Sequence, residues 1–202
     1  MVDDRKDSGD LYLRAMESGL GLVTSIKADQ WHNVTPCDEW DLRVLLNHIT
    51  SENLWLAEMF SGKTMEDVGA SLDGDVLGDD PIAAFTGSVA AAKRALQIPG
   101  ALEATHGLSS GDFSGYAYAH QLFMDQLVHS WDVTKGSGQG ATLDEELVEI
   151  CIPFAEQVIA AVGQGRPLAT RRNTHPTIGR RSVCSPSSAV ATIGRPPVTT
   201  AR

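Results

Sequence analysis

The sequence predicts an all-α protein, a four-helix bundle with an accessory C-terminal helix. Apolar residues in the body recur at spacings of three and four, which is the period of one helix face. β-branched residues form no alternating runs, so no sheet is predicted. The chain has 202 residues, of which 42% are hydrophobic and 21% charged, and this composition suits one globular domain with a single core.

Two amphipathic helices are predicted in the first third of the chain. The first spans about residues 10–28, although Gly19 and Gly21 each cost about 1 kcal/mol relative to alanine inside a helix. The second begins after Asp41, whose side chain is a good N-cap, and ends before Gly62. Their apolar stripes are Leu13, Met16, Leu20, Val23 and Ile26 in the first, and Leu42, Leu45, Ile49, Leu56 and Met59 in the second.

Three further helices follow. The third covers residues 82–96, with Pro81 in its first turn, where proline is favoured. The fourth spans about residues 115–135. The fifth opens with a capping-box pattern at residues 142–145, and we expect Pro153 to kink it.

The acidic charge of the chain excludes several classes of function. Lys and Arg number 16 and Asp and Glu 26, so the formal net charge is −10. A net anion repels phosphate backbones, which argues against nucleic-acid binding. No apolar run reaches the roughly 20 residues that cross a bilayer, and the first ten residues are polar. We therefore expect a cytoplasmic protein without a membrane partner.

The basic residues are concentrated at the end of the chain. Residues 164–202 hold seven Lys or Arg and no acidic residue, so the preceding part carries 9 − 26 = −17. The same segment holds five of the nine prolines and shows no hydrophobic period. Such a composition buries too little apolar area to offset the entropy of ordering. We predict a helical body over residues 1–163 and a basic tail that is not part of its core.

The fourth predicted helix carries polar residues where a bundle normally has leucine or valine. Its seam includes Asp125, His129 and Asp132. Asp125 and His129 are one turn apart on one face, a spacing that suits two ligands of one metal ion. His48 flanks the apolar stripe of the second helix and supplies a third nitrogen or oxygen ligand. Three protein ligands leave coordination positions open, which is typical of catalytic rather than structural sites.

The residues alone leave three alternatives open. Glu52 or Asp132 could orient a ligand histidine or act as a fourth ligand. Trp55 and Trp131 could form the wall of a pocket or belong to the core. The polar seam could also be a buried hydrogen-bond network without metal. Cys37 is interpreted as a packed or exposed side chain rather than a reactive thiol, because no basic neighbour is evident to lower its pKa.

Two segments resemble a known family. Residues 35–49 read TPCDEWDLRVLLNHI and residues 125–132 read DQLVHSWD. Both are similar to signatures of the metal-binding N-terminal domain of mycothiol-dependent maleylpyruvate isomerases, in the DinB/YfiT-like superfamily, and in particular to a single-domain branch. The resemblance covers about residues 10–162. It implies a four-helix bundle and a divalent ion held by His48, Asp125 and His129, with aspartate where the isomerase usually has glutamate.

The resemblance also implies a type of chemistry. The expected function is that of a divalent-metal-dependent enzyme of the mycothiol-dependent isomerase or thiol-transferase type, which activates a small thiol or water. The alternative is a helical bundle that binds a metal or small molecule without turnover. The expected cofactors are one divalent ion, zinc first and nickel, iron or manganese otherwise, and a low-molecular-weight thiol such as mycothiol. The expected partner is a small-molecule substrate. The sequence leaves open whether a helix face also forms a homodimer.

Overall fold

The structure is a computed structural model that describes residues 7–37, 40–109, 111–140 and 142–163. This part of the chain is mostly helical, which confirms the predicted all-α class. Its elements are α1 (Ser8–Val23), α2 (Leu42–Phe60), α3 (Met65–Val68), α4 (Pro81–Leu96), β1 (Thr105–Leu108), β2 (Gly111–Ser114), α5 (Gly115–Gly136) and α6 (Glu145–Gly163). No helix among these is long and apolar enough to span a membrane. The tail predicted at 164–202 lies outside the described residues.

The helix ends follow local hydrogen bonding. Asp41 caps α2, as predicted, by accepting a hydrogen bond from the Val44 N–H at 2.8 Å. The first helix is shorter than predicted and ends at Val23. Directly after it, the Thr24 and Ser25 hydroxyls donate to the carbonyls of the last helical turn. Such side-chain hydrogen bonds compete with continuation of the helix. The prediction that the helix extends to residue 28, which relied on the apolar spacing alone, is therefore wrong.

The last helix begins later than its capping-box pattern predicts. Asp144 accepts from the Glu146 and Leu147 N–H groups at 3.0 and 3.3 Å, and α6 starts at Glu145. The predicted cap at Thr142 is therefore wrong, because Asp144 satisfies the first N–H groups instead. Pro153 lies inside α6 and does not end it.

The core lies between the long helices. The first helix packs against α5 and α2 packs against α4, with further contacts from α2 to α5 and from α1 to α4. Helix α2 supplies four of the most buried side chains of the core, Leu42, Leu45, Leu46 and Ile49. Since α5 contacts both α1 and α2, polar residues on its inner face are held close to those helices.

One hairpin and one short helix were not predicted. The strands β1 and β2 pair antiparallel, with His106 opposite Phe113, so the expectation that nothing forms a sheet is wrong here. Each strand has four residues, too few for an alternating pattern to be visible. The hairpin is held by a tertiary contact instead: the buried His106 ring stacks on Phe60 of α2, with ring centroids 4.7 Å apart.

Candidate metal centre

The inner face of α5 carries a polar row. Asp125, His129 and Asp132 follow one another at spacings of four and three, so they lie on one side of the helix. The side chain of His129 is 5% exposed and that of Asp132 1% exposed, whereas Asp125 keeps 26% of its side chain accessible. The row therefore runs from a solvent-accessible carboxylate to a fully buried one.

The structure brings His48 from α2 to this row. Its Nε2 lies 3.2 Å from one carboxylate oxygen of Asp125, and Nε2 of His129 lies 3.4 Å from the other. One ligand atom from each of the three residues lies within 4.8 Å of the others. Two ligand atoms about 2.0–2.1 Å from a shared ion, at angles of about 90–110°, are about 2.8–3.4 Å apart. The donor set and these separations fit one divalent ion.

Asp132 contacts the other nitrogen of the same histidine. Its Oδ2 lies 2.9 Å from Nδ1 of His129. A carboxylate only accepts hydrogen bonds, so Nδ1 carries a proton, and Nε2, which faces Asp125, is the nitrogen that an ion would take. This is the arrangement that orients a metal-ligating histidine. Of the two roles that the sequence left open for Asp132, the geometry favours orientation of His129.

The three side chains perturb one another's protonation. Burial alone would lower the pKa of His129, but the charge and hydrogen bond of Asp125, with a contribution from Asp132, raise it to about 10. Burial alone would raise the pKa of Asp125, yet the charges of His129 and His48 hold it well below its ordinary value. Without an ion, His129 is a buried imidazolium paired with carboxylates on both sides.

Trp40 forms a wall that the sequence did not predict. Its ring centroid lies 5.0 Å from that of His48 and 5.9 Å from that of His129. The neighbouring Cys37 is buried, in agreement with the packed alternative, and its sulfur is 3.3 Å from Oδ2 of Asp132. The segment before α2 thus covers the inner end of the polar row.

Comparison with known proteins places the chain in a family. The family model of the mycothiol maleylpyruvate isomerase N-terminal domain matches residues 12–134, which is more than half of the chain and includes His48, Asp125 and His129. The chain belongs to this family. Two uncharacterized proteins of Mycobacterium tuberculosis, from strains CDC 1551 / Oshkosh and ATCC 25618 / H37Rv, are each 27% identical over 165 residues, which cover 79% of this chain and 84% of the relative. No solved structure is significantly similar.

In this member of the mycothiol maleylpyruvate isomerase N-terminal domain family, the carboxylate position is the shorter Asp125. Its two oxygens lie within 3.4 Å of both histidines, one oxygen facing each ring. The shorter side chain therefore stays central between the two imidazoles.

The structure also shows the surroundings of four other aromatic and histidine residues. Trp55 is buried in α2, and the ring of Trp131 lies 5.2 Å from the Lys135 ammonium nitrogen. His32 is exposed and contacts the capping carboxylate of Asp41. His120 is buried with its ring edge-on to Phe154.

A separate cavity lies at the other end of α2. It has a volume of about 380 Å³ and is lined by the 61–64 turn, the 98–101 turn and part of β1, including His106. At 1.5 Å per helical residue, its α2 wall at Phe60 is about 18 Å from His48. This cavity is therefore separate from the candidate metal centre. We take the cluster of His48, Asp125 and His129 as the candidate functional site because its side chains can bind a metal ion, although the cavity is large.

Metal binding should release a proton. At pH 7 the His129 imidazole of the ion-free protein is protonated, because its pKa is raised to about 10. An ion that binds Nε2 displaces the proton from that nitrogen, while the Nδ1–H group remains hydrogen-bonded to Asp132. We expect about one proton released per ion at pH 7, and metal affinity that rises on the order of tenfold per pH unit towards pH 10.

Calorimetry in two buffers of different ionisation enthalpy measures this release. The same titration of His129→Gln should show no such proton. Binding by the native chain with no proton release would contradict the assignment of Nε2 as a ligand atom.

Proposed function

We propose that this chain is a divalent-metal-dependent enzyme of the mycothiol-dependent isomerase or thiol-transferase type. The observation that carries the proposal is the convergence of Nε2 of His48, the carboxylate of Asp125 and Nε2 of His129 from two helices. Membership of the mycothiol maleylpyruvate isomerase N-terminal domain family supports the same chemistry, with mycothiol as the thiol.

The proposed roles follow from the contacts. His48, Asp125 and His129 would hold the ion, and Asp132 would keep His129 in the tautomer that presents Nε2. A bound divalent ion supplies Lewis-acid chemistry that makes a small thiol or water nucleophilic at neutral pH. Three protein ligands leave room for such a molecule. About a quarter of the Asp125 side chain is accessible, so solvent reaches the cluster at this carboxylate.

A thiol-binding experiment tests the proposal. The protein is loaded with cobalt, and mycothiol is added while the absorption spectrum is recorded. We expect a new thiolate-to-cobalt charge-transfer band that saturates at one thiol per chain, and thiol-dependent turnover in a screen of small electrophilic substrates. Cobalt-loaded His32→Gln, which changes an exposed histidine outside the site, should give the same band.

Two results would redirect the proposal. Cobalt binding without any spectral response to thiol would favour the alternative, a bundle that binds a metal or a small molecule without turnover. Failure of the native chain to bind cobalt, zinc, nickel or manganese would leave the polar row as a buried hydrogen-bond network. The ion pairs of Asp125 with His48 and His129 are the observation that such a network would explain.

A further inference from the structure

The wall of the metal centre contains a buried hydrogen-bond donor that has no acceptor. Trp40 is 5% exposed, and its indole Nε1 has no hydrogen-bond partner among the described residues. A buried N–H group without a partner costs free energy, and more than nine in ten buried polar groups in native proteins are satisfied. The ring that carries this unpartnered donor contacts both His48 and His129, so the donor is available to a molecule that binds at this centre.

The loop holds Trp40 firmly in this place. Its backbone N–H donates to the Cys37 carbonyl at 3.1 Å, and its own carbonyl accepts from the Thr35 hydroxyl at 2.8 Å. The segment is closed by an antiparallel bridge between Val34 and Asp41. The ring therefore keeps its position against His48 and His129 through contacts that do not involve Nε1.

The charges of the site indicate what kind of partner is needed. Asp125 and Asp132 carry two negative charges next to His129, and a divalent ion with neutral histidines would balance them. The loaded site then has no surplus positive charge with which to attract an anion. A fixed N–H group on the aromatic ring that contacts both histidines is a means of favouring an anionic atom there, because hydrogen bonds to charged acceptors are the stronger ones.

We propose that the indole N–H of Trp40 donates a hydrogen bond to the anionic sulfur or oxygen atom of the small molecule that binds at this centre. This inference rests on the proposed metal site and adds the residue that recognises the negative charge of the ligand. The group would act alongside the three metal-ligating residues without touching the ion.

Zinc-loaded full-length protein tests the inference, with 2-mercaptoethanol as the sulfur probe and acetate as the oxygen probe. In the Trp40→Phe variant the aromatic wall remains and the N–H is lost. We expect zinc affinity within about threefold of the native value, and probe affinity lower by about 10- to 100-fold, the size of one hydrogen bond to a charged group. The matched variant Trp131→Phe removes an indole from α5 and should bind both probes as the native chain does.

A second measurement does not depend on the folding of the variant. In protein labelled with nitrogen-15 at the indoles of its four tryptophans, the Trp40 N–H signal should move downfield when the probe binds to the native zinc form. A shift with only one probe would identify whether sulfur or oxygen is the acceptor. Binding of both probes without movement of this signal, and with unchanged affinity in Trp40→Phe, would overturn the inference. Failure of zinc itself to bind would overturn the proposed function instead.

Discussion

Replacing Asp125 with asparagine should lower the affinity for a divalent ion by more than about 100-fold. This loss is larger than the one usually caused by mutating a residue that only hydrogen-bonds a metal ligand. Asparagine preserves the size of the side chain but removes the charge that lies between His48 and His129. One of the two carboxylate oxygens is replaced by an NH2 group, and the neutral amide oxygen that remains is a weaker ligand for a divalent ion. Titration with zinc in competition with a chelator of known affinity measures the change.

The matched control is Asp132→Asn, which removes the same charge from the same face of α5. Asp132 contacts Nδ1 of His129 and not the cluster of ligand atoms, so we expect a loss of only about 10- to 100-fold. Circular dichroism checks that both variants keep their helices. If Asp132→Asn weakened zinc binding more than Asp125→Asn did, the roles assigned to the two carboxylates would be reversed.

Gly115→Ala should destabilise the fold by about 1–3 kcal/mol, the usual cost of overpacking. Gly115 is the first residue of α5, and its N–H donates to the Ala104 carbonyl at 2.9 Å. A Cβ placed there would lie 2.6 Å from the Leu102 Cα and would also overlap the Ala101 carbonyl oxygen. These are backbone atoms, which cannot rotate away as a side chain does.

Gly21→Ala is the matched control for that variant. Gly21 lies in α1, and a Cβ there meets nothing within 4 Å. Removing a glycine from this position should stabilise the protein by about 0.5–1 kcal/mol. Urea denaturation measures both free energies of unfolding. Equal stability of the two variants would contradict the close approach of α5 to the 101–102 turn.

The helices could be predicted because their signals are local. The apolar stripe of α2 and its Asp41 cap specify that helix without reference to the rest of the chain. The hairpin could not be predicted, since its strands are short and the contact that holds it, His106 on Phe60, joins residues far apart in sequence. The capping-box pattern at Thr142 failed for a different reason: Asp144 offered a competing cap two residues later.

The residues of the candidate site could likewise be predicted where they lie on helices and not where they lie in a loop. Asp125 and His129 are recognisable because carboxylate and imidazole occupy the seam of an amphipathic helix, and His48 because it borders another. Trp40 was missed because it lies in a loop, where no periodicity indicates which way a side chain faces. The signal available in the sequence was its place inside the segment at residues 35–49 that resembles the family signature.

The most direct test of the metal centre is the metal content of untagged protein. The native chain, His129→Gln and His32→Gln are incubated with zinc, passed through a desalting column and analysed by elemental analysis. The two variants each lose one histidine, but only His129 belongs to the cluster with His48 and Asp125. A metal centre at His48, Asp125 and His129 predicts about one zinc per chain in the native protein and in His32→Gln, and none in His129→Gln. No zinc in the native chain, or equal zinc in all three proteins, would contradict it.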